Sequence, residues 1–296
     1  MGVLLVLGLI AQSPAEPVAF ATLQQRDGLY YVEARVGESK KPLQLLLDTG
    51  SNVTIVWDRE ITGGKDDLRP MDVSLLSGHI KTQVGLIAEL PEPLKPLQRG
   101  KAKFDGMLGA TLFADYTVGL DLRGKCLAFF PKDKFLNAAK FWFSSAYVAS
   151  EKTPVRWVTD GRMISGVEGG PYQARQMYPS LFACEIDKGL NVPLALEGAN
   201  ISALLDTGSD SCSFQPQHFE DVRALKVVRT EDVKSVYGSH RERIYSLPEI
   251  GLAGFKIKAV ETTISDKFPN LVSNKVMAQY RWLFSKSEGV GLAAAY

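Results

Sequence analysis

The six-residue string Leu-Leu-Asp-Thr-Gly-Ser occurs twice in the chain, at residues 46–51 and again at residues 204–209. At roughly one in twenty per residue type, an Asp-Thr-Gly-Ser string has odds on the order of 10⁻⁵ per position, so a chance repeat is very rare. Each copy follows an apolar run, which is typical of a buried strand that ends in a turn. The repeat therefore predicts two related halves that each present one aspartate, Asp48 and Asp206.

Length and charge limit the class of protein. The 296 residues, of which 45% are apolar, are enough for one large or two ordinary domains with packed cores. The 34 basic and 33 acidic residues leave a net charge of +1, which provides no field to attract polyanions. We therefore expect a globular, two-lobed protein without a nucleic-acid partner.

An unbroken apolar run, residues 3–11, lies near the start of the chain. It is too short for the ~20 residues of a membrane-spanning helix, but it suits the core of a signal peptide, and small residues at 13–15 follow it. We expect residues 1–15 to be a signal peptide, the protein to be exported (periplasmic or secreted), and no membrane span. The alternative is a buried first strand, because no Lys or Arg precedes the run as in most export signals.

Strand patterns dominate both halves and recur in the same order. Residues 29–36 alternate with period two and residues 42–47 form a short apolar run, and segments 181–186 and 201–205 repeat this order before Asp206. The far ends also match, since residues 104–109 correspond to 268–273 at an offset of 164. We predict an N-terminal lobe over residues 16–133, a connector over 134–170 and a C-terminal lobe over 171–296.

A third correspondence lies between these landmarks. Ser77-Gly78-His79 and Gly238-Ser239-His240 both stand in hairpin-like contexts, at an offset of 161. The offset thus increases from 158 at the aspartates through 161 to 164. This steady increase predicts a gene duplication followed by small insertions.

Two aspartates in identical turns can act together in one reaction if the two halves bring them face to face. Two carboxylates at such a short distance cannot both ionise, so Asp48 and Asp206 would hold one shared proton over a range of pH. One oxygen can then take a proton from water while the other carboxyl gives a proton to a carbonyl oxygen. The pair predicts amide hydrolysis by general acid and base catalysis, without a metal or cofactor.

Six neighbouring residues are predicted to support this pair: Thr49, Gly50, Ser51, Thr207, Gly208 and Ser209. The glycines lack Cβ and let the backbone turn tightly beside the carboxylates. The threonine hydroxyls can bond across the interface and fix the two loops, and the serine hydroxyls can donate to the outer carboxylate oxygens.

With these motifs in place, the chain resembles the aspartic peptidases, specifically a bilobal single chain of the pepsin-like or retropepsin-like type, in its bacterial form. The resemblance rests on the two Asp-Thr-Gly-Ser strings and on residues 104–109, which are similar to the family's hydrophobic-hydrophobic-glycine element, and it covers most of residues 25–296. It implies an all-β fold of two β-barrel-like lobes with short helices, related by a pseudo-two-fold axis. It also implies a monomeric endopeptidase in which Asp48 and Asp206 are catalytic and a peptide or protein substrate binds between the lobes.

The chain departs from the family pattern in two ways that bear on function. Ser273 stands where the second lobe should carry glycine, and serine tolerates positive φ poorly, so we expect an altered backbone there. The first half has no obvious flap tyrosine, and the flap candidates are Gly78 with His79 and Tyr237 with Gly238, with ordinary surface turns as the alternative. These departures keep open a second function, a peptide-binding protein with this fold and little or no turnover.

The histidines and cysteines give no metal signal. His79, His218 and His240 are isolated, and Cys126, Cys184 and Cys212 form no Cys-x-x-Cys pair, so we predict neither a metal site nor a cofactor. Cys184 and Cys212 could form a disulfide within the second lobe, or all three cysteines could be buried as small apolar residues.

Overall fold

The structure is a computed structural model and describes residues 16–57, 59–90, 95, 103–144, 146–150, 153–158, 179–186, 189–235 and 238–296. The predicted signal peptide, residues 1–15, and the end of the predicted connector, residues 159–170, lie outside the described residues. The protein is an all-β, bilobal fold with two closed six-strand barrels and few short helices, which confirms the predicted fold class.

The described residues of the first half form nine strands and two one-turn helices. The strands are β1 (Ala19–Arg26), β2 (Leu29–Val36), β3 (Leu43–Leu47), β4 (Thr54–Val56), β5 (Asp67–Ser74), β6 (His79–Leu86), β7 (Gly106–Leu108), β8 (Tyr116–Asp121) and β9 (Cys126–Pro131). The helices are α1 (Arg59–Thr62) and α2 (Leu112–Asp115). Strands β2, β3, β7, β4, β6 and β5 follow one another around a barrel, which closes because β5 also pairs with β2.

The residues predicted as a connector begin with a helix that packs against the sheet between the lobes. The elements are α3 (Phe135–Ser144), β10 (Ala146–Ser150) and β11 (Thr153–Val158), the two strands forming a hairpin. Trp142 of α3 is fully buried and meets Phe130 of β9 edge to face at 6.2 Å. Among the described residues, no helix is long and apolar enough to span a bilayer.

The second half repeats the first strand for strand and adds one hairpin. Its elements are β12 (Ser180–Ala183), β13 (Leu190–Leu196), β14 (Ala199–Asp206), β15 (Cys212–Phe214), β16 (Lys226–Ser235), β17 (Gly238–Leu252), β18 (Phe255–Ile264), β19 (Leu271–Ser273), α4 (Asn274–Met277), β20 (Tyr280–Ser285) and β21 (Val290–Ala295). Short 3₁₀ turns span Pro216–His218 and Val222–Ala224. Strands β13, β14, β19, β15, β18 and β17 close a barrel in the same order as their counterparts in the first half.

The two barrels also agree in strand direction. In the first, β3 is parallel to β7 and β4 is parallel to β6, and in the second, β14 is parallel to β19 and β15 is parallel to β18. The other four pairs in each barrel are antiparallel. The internal repeat read from the sequence is therefore a repeat of topology.

The structure corrects the predicted steady increase of the offset between the halves. Thr54 of β4 pairs with Val84 of β6, and its counterpart Cys212 of β15 pairs with Thr262 of β18. The offset between the halves is therefore 158 at β4 and β15, but 178 at β6 and β18. The β16–β17 hairpin accounts for the larger offset, because it is inserted before the part of β17 that joins the barrel. The offset returns to 164 at β7 and β19, after a longer connection in the first half. His79 and His240 are therefore not equivalent positions.

A six-strand sheet joins the lobes in the order β1, β9, β8, β20, β21, β12. At its centre, β8 runs antiparallel to β20, and Gly119 faces Leu283. These two residues are 164 positions apart, the offset that relates the halves in this region, so they are counterparts. Since each residue faces its own counterpart only on the axis of a two-fold relation, the pseudo-two-fold axis passes between Gly119 and Leu283.

Candidate active site

The two repeated strings lie at the ends of equivalent central strands. Asp48 follows β3 directly, between β2 and β7 of the first barrel. Asp206 is the last residue of β14, between β13 and β19 of the second barrel. Because both strands are paired on either side, the turns that follow start from fixed backbone positions. We call residues 48–51 and 206–209 the catalytic loops.

The two catalytic loops are joined by four hydrogen bonds from their threonines. The N–H of Thr49 donates to Oγ1 of Thr207 at 3.0 Å, and the N–H of Thr207 donates to Oγ1 of Thr49 at 3.1 Å. The Thr49 hydroxyl donates to the carbonyl of Leu205 at 2.7 Å, and the Thr207 hydroxyl donates to the carbonyl of Leu47 at 2.8 Å. Both threonines are fully buried. The predicted threonine contacts across the interface are confirmed.

The glycines of the loops allow the two carboxylates to meet. A Cβ on Gly50 would lie 2.7 Å from Cγ of Asp206, and a Cβ on Gly208 would lie 2.8 Å from Cγ of Asp48. Each carboxylate therefore occupies the space next to the opposite loop that any other residue type would fill. Asp48 and Asp206 hydrogen-bond to each other, and both keep part of their surface exposed.

Backbone N–H groups hold the carboxylates in place. Oδ1 of Asp48 accepts from Gly50 at 3.0 Å and from Ser51 at 3.1 Å. Oδ1 of Asp206 accepts from Gly208 at 2.8 Å. Hydrogen bonds of this kind stabilise the ionised form of a carboxyl, so they favour a negative charge within the pair.

The electrostatic environment separates the two aspartates. Burial raises the pKa of Asp206, and the negative charge of Asp48 raises it further, so that this pKa lies well above its usual range. Burial also raises the pKa of Asp48, but the Ser51 N–H, the hydrogen bond from Asp206 and the Gly50 N–H oppose that rise. The pair therefore holds one shared proton over a range of pH, and this titration belongs to the two carboxyls together.

The serines of the loops play a different part from the predicted one. The Ser51 hydroxyl donates to the carbonyl of Val53 at 3.0 Å, and the Ser209 hydroxyl donates to the carbonyl of Ser211 at 2.8 Å. A hydroxyl has only one hydrogen to donate, so neither can at the same time donate to an outer carboxylate oxygen. The serine hydroxyls close the turns that follow the aspartates.

Ser273 occupies the position equivalent to Gly109, as the sequence predicts, but its backbone is ordinary. It has φ −73° and ψ 163°, so the expected conflict with positive φ does not arise. The next residue, Asn274, donates from its N–H to Ser209 at 2.9 Å, just as Ala110 donates to Ser51 at 2.7 Å. The backbone beside the second catalytic loop therefore follows the same path as in the first lobe.

The restriction to glycine in the first lobe has a steric cause. A Cβ on Gly109 would lie 2.0 Å from the carbonyl oxygen of Val53, and the Gly109 N–H donates to the Thr54 hydroxyl at 3.1 Å. In the second lobe, Ser273 is accommodated, and its N–H and hydroxyl both lie 3.4 Å from Sγ of Cys212, the counterpart of Thr54. All three cysteines are buried and none forms a disulfide, so Cys184 and Cys212 do not pair.

Asn274 is a residue at the site that sequence reasoning missed. It begins α4, is 2% exposed, and its side chain contacts both lobes. The only signal available was its place, immediately after the residue that replaces the second-lobe glycine. Nothing in the residue type distinguished it from other asparagines.

The flap candidates lie apart from the dyad or outside the described residues. Ser77, at the tip of the β5–β6 hairpin, exchanges hydrogen bonds with Phe20 of β1 at 2.9 and 3.2 Å, and Gly78 adjoins Val18 and Ala19. At about 3.3 Å per residue, β1 from Phe20 to Arg26 spans roughly 20 Å, and the β1–β2 turn beyond it contacts Asn274, beside the second catalytic loop. The structure therefore does not bring Gly78 and His79 to the aspartates.

The second flap candidate is the tip of the hairpin that only the second lobe has. Gly238 begins β17 and pairs with Ser235, at the end of the β16–β17 hairpin, and Tyr237 lies outside the described residues. In the first lobe, the corresponding stretch between β4 and β5 holds only α1 and a short loop. A flap at Tyr237 and Gly238 stays a prediction.

The described residues contain no group of three or more His, Cys, Asp or Glu side chains that could hold a metal ion. A cavity of about 840 Å³ lies on the first lobe, and its lining includes Lys40, Glu60, Arg69, Asp72 and Lys81. No residue of the catalytic loops lines it.

A scan against protein-family models finds no match, and no curated protein matches the chain. The case for function rests on the repeat and on the geometry of the two aspartates.

Proposed function

We propose that this protein is an aspartic endopeptidase of the bilobal, pepsin-like or retropepsin-like type, and that it hydrolyses peptide bonds with water activated between Asp48 and Asp206. One observation carries the proposal: two identical loops, joined by the threonine bonds, hold two half-buried carboxyls in hydrogen-bond contact. Holding two carboxylates together costs free energy, because like charges repel and buried charges lose solvation. A protein in which these two loops had only a structural role would gain no stability from that arrangement.

The environment of each carboxyl assigns its role in the proposed reaction. Asp48 accepts two backbone N–H bonds, which favour its ionised form, and in this proposal it takes a proton from water as the oxygen attacks the carbonyl carbon. In this proposal Asp206, whose pKa is raised well above its usual range, carries the shared proton and gives it to the carbonyl oxygen, so the tetrahedral intermediate forms without net charge on the substrate. Asp48 then delivers its proton to the leaving amine nitrogen, and re-formation of the carbonyl returns a proton to Asp206.

The substrate in this proposal is an extended peptide or a protein segment that lies across the catalytic loops. The β16–β17 hairpin, which extends the second lobe beyond its barrel, is the element best suited to cover such a peptide. We expect the enzyme to act as an exported monomer, in keeping with the apolar run at residues 3–11.

The alternative is a peptide-binding protein that keeps the cleft without turnover. Ser273 was one motive for it, but its ordinary backbone and the shared N–H bond pattern beside both loops remove the expected distortion. The tip of the β5–β6 hairpin contacts β1 and does not cover the two aspartates, and this observation favours the alternative. Asp48→Asn separates the two functions, because it should abolish turnover by a peptidase and leave peptide affinity largely intact in a binding protein.

The test is mass-spectrometric detection of cleavage products from a complex peptide mixture between about pH 3 and pH 8. Wild type, Asp48→Asn and Asp206→Asn are compared with Asp210→Asn, a matched control because Asp210 is exposed and pairs with Lys275 at 3.6 Å. Cleavage that is lost in both dyad variants and kept in the control supports the proposal. No cleavage by folded wild-type protein, together with peptide binding, would favour the alternative.

A further inference from the structure

The side-chain amide of Asn274 connects the second catalytic loop to the first lobe. Its Nδ2 donates to the carbonyl of Gly28, in the β1–β2 turn, at 3.0 Å and to the carbonyl of Thr207 at 3.2 Å. Both hydrogens of the amide are thereby used on backbone acceptors. The backbone of Asn274 is itself fixed, since its N–H donates to Ser209 and its carbonyl accepts from Ala278. The amide cannot move without breaking contacts in both lobes.

The carbonyl that Asn274 holds belongs to the same peptide group as an N–H that contacts the dyad. The peptide bond between Thr207 and Gly208 carries the Thr207 oxygen at one end and the Gly208 N–H at the other, in one plane. That N–H donates to Oδ1 of Asp206 at 2.8 Å. A hydrogen bond to the carbonyl both orients the plane and polarises the N–H, which strengthens the bond to the carboxylate.

The first lobe lacks this contact. The residue equivalent to Asn274 is Ala110, which has the same backbone bond to its catalytic loop but no side-chain donor. The corresponding peptide, between Thr49 and Gly50, therefore receives no amide from that position. The chain is asymmetric at this point although its two catalytic loops are identical.

We propose that Asn274 is a positioning residue, which holds the Thr207–Gly208 peptide in the orientation that lets Gly208 donate to Asp206. The inference rests on the proposed function insofar as it concerns turnover. Asn274 acts through the peptide group and touches neither substrate nor the reacting carboxyl. Through this contact, the first lobe fixes one of the hydrogen bonds that set how tightly Asp206 keeps its proton.

Other ionisable groups around this peptide must be accounted for in a pH experiment. Asp48 faces Asp206 directly, and Asp210 pairs with Lys275 of α4 at 3.6 Å. Asp27 lies in the β1–β2 turn, and the buried Cys212 thiol on β15 has a raised pKa because of its burial. Asn274 is neutral, so its replacement by another neutral residue leaves all of these charges in place.

The experiment compares wild type with Asn274→Ala and Asn274→Ser. Serine offers one hydrogen and can reach at most one of the two carbonyls, and it serves as a second variant if the alanine variant does not fold. Loss of the hydrogen bond from the Gly208 N–H favours the protonated form of Asp206. The alkaline limb of the pH profile of kcat/KM should therefore shift to higher pH by about half a unit or more. We also expect kcat to fall about ten-fold, because the loop that carries Asp206 is less well positioned.

The matched control is Asn270→Ala. Asn270 lies in the same lobe and its side chain also bonds backbone groups, of Ser202 at 3.3 Å and of Gln215 at 3.0 Å, but not the catalytic loops. It should lower thermal stability without moving the alkaline limb. An unchanged limb in both Asn274 variants, or an equal shift in the control, would overturn the proposal.

A second readout does not depend on turnover. Carboxyl ¹³C NMR of the dyad should show the higher of its two macroscopic pKa values raised in Asn274→Ala and unchanged in Asn270→Ala. If wild type cleaves no peptide, the proposed function fails while this titration still tests Asn274. If wild type cleaves and the titration is unchanged, only the role of Asn274 fails.

Discussion

Thr49 and Thr207 each donate a backbone N–H to the other's hydroxyl, at 3.0 and 3.1 Å, across the junction of the two lobes. Each hydroxyl also donates to a carbonyl of the opposite chain segment, that of Leu205 or Leu47, so the four bonds use both threonine N–H groups and both hydroxyl hydrogens. One loop therefore cannot shift without leaving buried polar groups of the other unpaired, which is costly. The position of each aspartate is fixed by the opposite lobe.

Thr207→Val should destabilise the protein and lower its activity. The substitution keeps the shape of the side chain but leaves the Thr49 N–H and the Leu47 carbonyl unpaired, at about 1–3 kcal/mol each. Chemical denaturation should show a loss of about 2–6 kcal/mol in the free energy of unfolding. Thr207→Ser, which retains the hydroxyl, should lose only about 1 kcal/mol for its missing methyl group. Equal losses in the two variants would contradict this account.

Gly208→Ala should reduce turnover more than stability. The added Cβ would lie 2.8 Å from Cγ of Asp48 and must push that carboxyl away from Asp206. A displacement of about 1 Å in a catalytic group can cost roughly 100-fold in rate, so we expect at least that loss in kcat. Gly50→Ala should behave in the same way, since its Cβ would lie 2.7 Å from Cγ of Asp206. Near-normal kcat in either variant would show that the carboxyls need not be this close.

The central part of this site could be predicted because it is local in sequence and duplicated. The loop string fixes which residue carries the carboxyl, which lacks Cβ and which carries a hydroxyl, and a repeat supplies the partner. The contacts of Thr49 with Thr207 follow once the loops face each other. The serine hydroxyls were assigned wrongly because a backbone carbonyl two residues ahead, that of Val53 or Ser211, is an equally available acceptor.

Contacts that depend on distant chain segments could not be predicted. Asn274 bonds Gly28, 246 residues away, and no local pattern records that approach. The sequence matches His79 to His240 because both lie in hairpin-like contexts, but an inserted hairpin in the second lobe shifts the register of every later residue until β19. Offsets between repeats carry information only where both halves keep the same elements.

The raised pKa of Asp206 predicts how stability depends on pH. The carboxyl of Asp206 binds its proton more tightly in the native state than in the unfolded state, where an aspartate has a pKa of about 3.9. The free energy of unfolding therefore falls as the pH rises from that value through the native pKa. Asp206→Asn removes this titration and should therefore raise the melting temperature at pH 7 relative to wild type, with a smaller difference near pH 3. Asp210→Asn, in an exposed pair with Lys275, should show no such pH-dependent gain. A gain at pH 3 equal to that at pH 7 would contradict the prediction.

Ser273→Gly and Gly109→Ser, a matched pair of opposite substitutions, test whether Ser273 impairs the second loop. Ser273 has an ordinary backbone and bonds Cys212, so Ser273→Gly should leave kcat unimproved and cost about 0.5–1 kcal/mol of stability through added chain entropy. Gly109→Ser should be far more damaging, because its Cβ would lie 2.0 Å from the Val53 carbonyl oxygen. Peptide cleavage and thermal unfolding of both variants provide the measurement. A several-fold gain in kcat for Ser273→Gly would instead identify this serine as the cause of weak turnover.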